Sequence, residues 1–376
     1  MSKTIYATVT LIGMIVGVGI FGVPYVAAQA GFWTALFWLL VLGGVNLLMN
    51  VFYGEVVMAT PGKHRMVGYA DIYLGGFWKS VTAFINVISF WAAQVAYIIV
   101  GGKFLYLLLN GIFGGTELVY NLIFFVVMSL LIYGGLKLFE EAELIMTVLL
   151  IAAVLFIFGR SLPGIDLDNF MPAVTDWGKF FLPYGVILFS LTGASAIPEM
   201  RDILSGNRAK MKKSIWFGTI IAILLTLLFM VAIVGLTGHK TTEESLEGLR
   251  QLGGYENLVL AGIIFGILAI ATSFLVLGLN LKGIFQYDYK RDKNLSWFLA
   301  VAPPGVVFLL GATDFIKVID FSGSILSSLS GLLILGLFLK VMSLRKTGLK
   351  SWFWPICAGV VGLIFIVGML SSFGHF

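Results

Sequence analysis

Three glycines and a proline fall within eight residues of an otherwise apolar run, in the stretch GVGIFGVP from Gly17 to Pro24. Glycine is costly to order in a helix and proline has no backbone N–H to donate, so this stretch predicts a break in a helix. Unwound backbone has unpaired N–H and C=O groups, which must find a ligand or a protein partner when they are buried. The stretch is therefore a candidate binding site made of backbone rather than of side chains.

A second stretch repeats the pattern in the other half of the chain, as SLTGASAIPEM at residues 190–200. Its Gly193 and Pro198 are five residues apart, which is also the separation between Gly19 and Pro24. Because paired broken helices commonly meet at the centre of a membrane protein, we expect the two breaks to lie side by side.

The helix that restarts after the first break points its positive N-terminal end at the break, where backbone amides suit a carboxylate and glycine lets it approach. Carbonyls freed at the second break suit an ammonium group. Neither residues 17–24 nor residues 190–198 include a charged side chain, so together the breaks predict a site for a zwitterion such as a neutral amino acid. The predicted substrate residues are Gly17, Gly19, Ile20, Phe21, Phe189, Ser190, Thr192 and Gly193.

The polar side chains of the apolar segment 81–110 include Asn86, Ser89, Gln94 and Tyr97. At 100° per residue, Tyr97 lies within about 20° of Asn86 around a helix, and the other two lie within about 80°. This face predicts contact with protein interior or water. Tyr97 is a candidate substrate contact, and hydrogen bonding between helices is the alternative.

Two adjacent hydroxyl residues, Thr272 and Ser273, occur in the stretch ILAIATSFL. Ala269 lies one turn earlier, with a carbonyl that the pair can leave partly free. Hard cations prefer several oxygen ligands, so these residues predict a Na⁺ site, with H⁺ as the other candidate coupling ion and no further cofactor. The alternative is that the hydroxyls bond back to carbonyls of their own helix.

Two carboxylates lie within or at the edge of apolar segments, and such groups are functional candidates because they are costly to bury in a membrane. Glu55 either carries a coupled proton or braces helix ends through a basic or hydroxyl partner, and we favour bracing. Asp320 either pairs with Lys317, one turn before it, or serves as an outer gate or a contact to a substrate amine.

The composition indicates that a membrane scaffold positions these residues. Of the 376 residues, 59% are hydrophobic and 11% charged, and the mean hydropathy of +1.01 is too high for a water-soluble fold of this length. Apolar runs of about 20 residues predict spanning helices rather than barrel strands. The predicted fold class is all-α, with eleven transmembrane helices at residues 4–29, 32–59, 81–110, 119–136, 143–159, 177–200, 213–236, 256–282, 295–311, 315–341 and 351–372.

Most of the 24 basic residues fall in the segments that are cytoplasmic if the N-terminus is cytoplasmic. The positive-inside rule then favours a cytoplasmic N-terminus and an extracytoplasmic C-terminus. The same topology explains the net charge of +5 without nucleic acid as a partner, so the expected partners are the lipid bilayer and the substrate.

Other classes of protein fit the residues poorly. The single Cys357 excludes an intramolecular disulfide, and the three histidines have no ligand spacing, so no metal centre of His and Cys ligands is expected. An intramembrane enzyme needs a nucleophile with a base or a metal triad, and no histidine lies at membrane depth. A channel needs a continuous polar lining, whereas the polar residues here are isolated. A sensor built on a transporter fold stays open.

The chain also divides into two similar halves. Loops of 21 residues, 60–80 and 237–257, follow the second and the seventh predicted helices, so five helices are followed by five equivalent ones. Because five is an odd number, the second set of helices crosses the membrane in the opposite orientation to the first. Inverted repeats of this kind occur in many secondary transporters. We predict one transmembrane domain over residues 1–372, made of a first repeat (1–160), an inverted repeat (177–341) and an additional helix (351–372).

Five stretches carry a family resemblance: GVGIFGVPYVAAQAG, FYGEVVMATPG, YADIYLGG, LFSLTGASAIPEM and AIATSFLVLGL. On these motifs the chain resembles the amino acid/polyamine/organocation superfamily. Within it, the chain is most similar to the amino acid/auxin permease group, including the bacterial aromatic and hydroxy amino acid permeases. The resemblance runs over nearly the whole chain.

This resemblance implies a LeuT-like fold in the plasma (inner) membrane of a prokaryote, with substrate in the cleft between helices 1, 3, 6, 8 and 10. It also implies that Phe189 is an aromatic gate beside the substrate. By the same resemblance, the carbonyls of Gly13 and Val16 complete the Na⁺ site of Ala269, Thr272 and Ser273. The implied activity is symport of a neutral L-amino acid with Na⁺, and proton coupling is the alternative.

Overall fold

The computed structural model describes residues 3–134, 140–171, 177–344 and 353–372, and within these ranges the regular structure is helical. The predicted all-α class is therefore confirmed. The helices are α1 (Lys3–Ile15), α2 (Gly19–Ala30), α3 (Phe32–Ala59), α4 (Met66–Leu74), α5 (Gly76–Phe113), α6 (Glu117–Gly134), α7 (Glu140–Ser161), α8 (Leu182–Ser190), α9 (Ile197–Ile203), α10 (Arg208–Thr237), α11 (Leu246–Leu252), α12 (Glu256–Gly283), α13 (Lys293–Leu309), α14 (Phe315–Phe321), α15 (Ser328–Leu344) and α16 (Phe353–Ser372).

The described part of the chain has eight helical segments that are long and apolar enough to cross a bilayer, or nine if α1 and α2 form one span. Helices α8, α9 and α13 are shorter than this, so the count of eleven stays a prediction. Large apolar side chains such as Phe84, Leu224 and Leu363 are exposed on the outer surface, as expected where lipid is the solvent. Residues 135–136 and 351–352, at the ends of two predicted spans, lie outside the described residues.

Four half-helices, α1, α2, α8 and α9, form the centre of the molecule. In α2, nine of the twelve residues are buried, and in α8 seven of the nine are buried. Helix α2 packs on α8 and α10, while α1 packs on α7, α9 and α10. A helix that is apolar on every side is stabilised by burial on every side, so these segments need the longer α3, α5, α10 and α12 around them.

Both predicted breaks are present at the expected glycines. Helices α1 and α2 meet at 51° across residues 16–18, and Pro24 lies inside α2 rather than at the break. Helix α8 ends at Ser190, and a 3₁₀ turn at Ala194–Ala196 leads into α9, where Pro198 is in the first turn. Proline fits the first turn of a helix because the N–H groups of that turn have no acceptor within the helix, so the missing N–H of proline costs no hydrogen bond.

The short helices α4 and α11 lie at opposite ends of the molecule. Helix α5 begins beside α4, and Lys103, 27 residues after Gly76, pairs with Glu244 just before α11 (Nζ to Oε1, 3.1 Å). At 1.5 Å per residue these two points are about 40 Å apart. The N-terminus lies at the α4 end, since Lys3 Nζ donates to Ser205 Oγ (2.9 Å) after α9.

Candidate functional site

The two breaks touch each other. A Cβ atom placed on Gly19, the first residue of α2, would lie 2.6 Å from the Cα atom of Ser190, the last residue of α8. A Cβ atom on Gly193 would overlap with the side chain of Ile15, at the end of α1. Only glycine permits such close approach of one backbone to another segment. The glycines of both motifs therefore bring the ends of four helices together.

The first break frees carbonyl groups at the end of α1. Gly17 N donates to Ile15 O (3.0 Å), so the Gly13 carbonyl, four residues before Gly17, loses its helical donor. Ile20 N donates to Gly17 O (3.4 Å), so the Val16 carbonyl loses its donor in the same way. Because a helix is negative at its C-terminal end, these two carbonyls suit a cation or an ammonium group.

The start of α2 frees amide groups, though fewer than the sequence predicts. The amides of Ile20 and Phe21 donate to Gly17 O and Val18 O (3.4 and 3.1 Å). The amides of Val18 and Gly19 make no backbone hydrogen bond to any other described residue. Gly19 and Val18, rather than Ile20 and Phe21, are thus the donors open to a carboxylate at the positive end of α2.

The second break frees carbonyl groups at the end of α8. Thr192 N donates to Phe189 O (3.2 Å), and Thr192 Oγ1 donates to Leu188 O (2.8 Å). The carbonyls of Ser190 and Thr192 accept no backbone amide within the described ranges. Two carbonyls of this break are therefore open to an ammonium group, while the Phe189 carbonyl is already occupied.

A cavity of about 1000 Å³, including space open to solvent, extends from the breaks toward the α4 end. Its walls come from α1, α2, α5, α8, α9, α12 and the residues around the π-helical turn Ser322–Ser327. Arg65, at the mouth, is the only charged residue among the described residues that line it. Much of the remaining wall is apolar and includes Phe90 and Leu277, so the cavity suits a neutral molecule with an apolar body.

Six of the predicted substrate residues line this cavity: Gly17, Gly19, Tyr97, Phe189, Ser190 and Thr192. Ile20, Phe21 and Gly193 do not. Phe21 is fully buried on the α11 side of the break, with its ring centroid 4.9 Å from that of Phe104 and 5.4 Å from that of Phe229. Its role is therefore to pack and not to line the cavity.

The predicted cation residues lie around the first break. A Cβ atom on Gly17 would lie 2.8 Å from Ser273 Oγ and 3.5 Å from Tyr97 Oη, so both hydroxyls approach the unwound backbone. Thr272 Oγ1 donates to Ala269 O (2.8 Å), which is the back-bonded arrangement that the sequence leaves as the alternative. A hydroxyl that donates in this way still has lone pairs for a cation. The Na⁺ site stays a prediction.

The structure adds a hydroxyl that the sequence analysis missed. Thr147 on α7 is 2% exposed, and its Oγ1 atom would lie 2.5 Å from a Cβ atom on Gly13. The side chain therefore reaches the last turn of α1 from α7, which packs against both α1 and α12. No local signal marks Thr147 in the sequence, because its relevance depends on how α7 packs against α1.

The two candidate carboxylates have different surroundings. Glu55 Oε2 lies 3.7 Å from Arg208 Nη2 at the start of α10, which matches the bracing role. The predicted pair of Lys317 and Asp320 is wrong, since Lys317 Nζ lies 3.0 Å from Asp314 Oδ2 instead. Asp314 caps the start of α14 and holds the lysine near the surface, whereas Asp320 points inward at Gly185 of α8.

Polar residues of α12, of the π-helical turn and of α15 also line the cavity, although they are not among the residues predicted from the sequence. They are Asn280, Ser322, Ser327 and Ser330. The backbone of the π-helical turn closely approaches α8, since a Cβ atom on Gly323 would overlap with the carbonyl of Gly185. The serine-rich stretch FSGSILSSLSG was the available signal for these serines.

Ion pairs hold both ends of the path through the centre. At the α11 end, Lys103 pairs with Glu244, and Ser245 Oγ donates to the carbonyl of Phe21. At the α4 end, Arg65 Nη2 lies 3.5 Å from Glu199 Oε1. Each end of the central region is therefore held by an ion pair between side chains.

A central cavity between two broken helices, inside a largely apolar bundle, defines a membrane transporter of a small neutral molecule. The model of the tryptophan/tyrosine permease family matches residues 1–373, and the chain belongs to this family. It is thus a member of a family of amino acid transporters and not of enzymes.

Similar proteins agree with this assignment. The chain is 25% identical over 339 residues to tyrosine-specific transport system 1 of Haemophilus influenzae, covering 86% of this chain and 84% of that protein. It is 25% identical over 348 residues to the tryptophan-specific transport protein of Pseudomonas aeruginosa, covering 83% and 80%. The solved structure of MhsT in complex with L-phenylalanine superposes with a TM-score of 0.72 at 16% identity, over 98% of each chain. The chain therefore shares the fold of a LeuT-type transporter.

Proposed function

We propose that this protein is a secondary active transporter that imports a neutral aromatic L-amino acid by symport with a cation. The observation that carries the proposal is the cavity lined by Gly19 and Ser190 where the two breaks touch, with free amides and free carbonyls close together and no charged side chain beside them. Its relatives named for tyrosine and tryptophan support an aromatic substrate.

The proposed binding mode follows from the two breaks. The substrate carboxylate binds the amides of Val18 and Gly19 at the positive end of α2, and its ammonium group binds the carbonyls of Ser190 and Thr192. Each bond satisfies a backbone group that would otherwise be unpaired at membrane depth. The aromatic side chain then occupies the apolar part of the cavity beside Phe189, which serves as the gate.

The proposed architecture keeps the sequence-based details: eleven transmembrane helices, two inverted five-helix repeats (1–160 and 177–341) and an additional helix (351–372), in the amino acid/auxin permease group. The N-terminus is cytoplasmic and the C-terminus extracytoplasmic in a bacterial plasma membrane. With this orientation the cavity extends toward the cytoplasm and the α11 end faces outward. The pair of Lys103 and Glu244 then closes the outer side in this state.

We favour Na⁺ as the coupling ion. The carbonyls of Gly13 and Val16 have lost their helical donors, and Ser273 Oγ approaches the same break from α12. Together with Ala269 O and Thr272 Oγ1, these atoms supply five oxygen ligands, and oxygen is the ligand that hard cations prefer. A cation there also stabilises the unwound backbone that binds the substrate, and this couples the two binding events.

The test is uptake of labelled L-tyrosine and L-tryptophan into proteoliposomes under an imposed Na⁺ gradient, an imposed pH gradient, or neither. Accumulation that requires the Na⁺ gradient supports the proposal. Accumulation under the pH gradient alone contradicts the Na⁺ site but not the transport of amino acids. Absence of accumulation of either amino acid under every gradient contradicts the proposed function.

A further inference from the structure

Two buried amides in the cavity lack partners. Asn86 on α5 is 6% exposed and Asn280 on α12 is 5% exposed, and both side chains line the cavity. The Nδ2 atom of each makes no hydrogen bond to any other described residue. An unsatisfied buried donor costs about 1–3 kcal/mol, so each amide is expected to bind a group that enters the cavity.

Asn280 lies where the far end of an aromatic substrate would be. Ser273 approaches Gly17 at the first break. Asn280 follows Ser273 by seven residues, so it lies about 10 Å further along α12. It also lies within about 20° of Ser273 around the helix axis, and thus on the same face. Leu277 lines the cavity between them. Because the cavity continues from the break toward Asn280, a tyrosine or tryptophan whose carboxylate binds at the break has room for its ring in this direction.

Asn86 lies too far from the breaks for the same contact. Tyr97 marks the level of the first break on α5, and Asn86 precedes it by eleven residues, or about 16 Å along the helix. The two amides therefore share burial, cavity lining and lack of a partner, but only one of them is within reach of a substrate held at the breaks. Asn86 is the matched control for Asn280.

We propose that the Asn280 amide binds the polar atom on the ring of the substrate, either a phenolic hydroxyl or an indole N–H. An amide can donate to the phenolic oxygen and can accept from the hydroxyl or the indole N–H. Phenylalanine leaves the amide buried and unpaired, so it binds less tightly. This inference rests on the proposed function and assigns the residue that determines specificity within it.

The experiment measures competition against labelled substrate in proteoliposomes for two pairs of ligands: L-tyrosine with L-phenylalanine, and L-tryptophan with 1-methyl-L-tryptophan. We expect the wild-type protein to prefer the polar member of at least one pair by about five- to tenfold. Asn280→Leu, which conserves volume, abolishes this preference, and Asn86→Leu retains it. Because the readout is a ratio within one preparation, differences in protein yield cancel.

A preference that Asn280→Leu leaves unchanged overturns the inference, as does a wild-type protein that shows no preference in either pair. If Asn280→Leu has no uptake, Asn280→Ser takes its place, and the same unchanged preference overturns the inference. Wild-type protein that takes up no aromatic amino acid contradicts the proposed function. Uptake with a preference independent of Asn280 contradicts only this inference.

Discussion

Gly19 and Ser190 lie in direct contact, such that a Cβ atom on Gly19 would fall 2.6 Å from the Cα atom of Ser190. Gly19→Ala must therefore displace α2 from α8, at a cost of about 1–3 kcal/mol, and it separates the free amides from the free carbonyls. We expect this variant to lose most of its uptake of labelled amino acid. Gly44→Ala on α3 is the control, since its Cβ atom would meet nothing within 4 Å. Equal loss in both variants would refute the argument from contact.

The Na⁺ site predicts a specific effect of Thr272→Ala. Removing one oxygen ligand is expected to raise the Na⁺ concentration for half-maximal uptake by about tenfold, while the fold is retained. Thr226→Ala is a matched control, because Thr226 is also buried and donates to Ala222 O at 3.0 Å, on helix α10, which supplies none of the predicted cation ligands. The measurement is Na⁺-dependent uptake at fixed amino acid. Unchanged Na⁺ dependence in Thr272→Ala would leave Thr272 with a purely back-bonded role.

The predictable part of this site is the part encoded locally. Glycine marks both breaks, whereas proline lies near only the second, so Gly19 and Gly193 could be found from sequence. The identity of the free amides could not, because the turn bonds of Ile20 and Phe21 depend on how tightly α2 restarts. Asn280 was missed because the face of α12 that meets the cavity is fixed by packing against other helices.

The remaining errors also come from long-range contacts. The pair of Lys317 and Asp320 has the right spacing for a helix, yet Asp314 caps α14 and takes the lysine. The π-helical turn at Ser322–Ser327 arises where Gly323 meets Gly185, 138 positions earlier in the chain. No pattern confined to one segment contains this information.

The pair of Lys103 and Glu244 predicts a change in conformational equilibrium. Glu244 is 4% exposed, so removal of its partner in Lys103→Met leaves a buried charge and destabilises the closed α11 end. Ser89→Cys in a Cys357→Ser background places one cysteine in the cavity. We expect this cysteine to react about tenfold faster with an impermeant thiol reagent added at the α11 end when Lys103 is replaced by Met than when Lys103 is present. A tenfold difference is equivalent to about 1.4 kcal/mol. Arg250→Met removes the more exposed pair of Arg250 and Glu247 at the same end, and we expect it to leave the reaction rate of the cysteine unchanged. Equal rates in all three proteins would contradict the role of the pair.

Glu243 predicts a pH dependence of stability. Burial, with the neighbouring carboxylates of Asp314 and Glu244, raises the pKa of Glu243 above its ordinary value of 4.5. Ionisation of this group therefore destabilises the fold as the pH rises through the raised pKa, and the cost is absent below pH 4.5. We expect Glu243→Gln to unfold at a higher temperature than wild type at pH 8, with the difference vanishing toward pH 4. A difference that is constant with pH would refute this account.

The central claim is that one amino acid binds between the two broken helices. The most direct measurement is an experimentally determined structure of the protein with L-tyrosine or L-tryptophan bound. We predict density for the ligand with its carboxylate at the amides of Val18 and Gly19 and its ammonium group at the carbonyls of Ser190 and Thr192. Density for the amino acid at another place, with the part of the cavity beside Gly19 and Ser190 unoccupied by ligand, would contradict the claim.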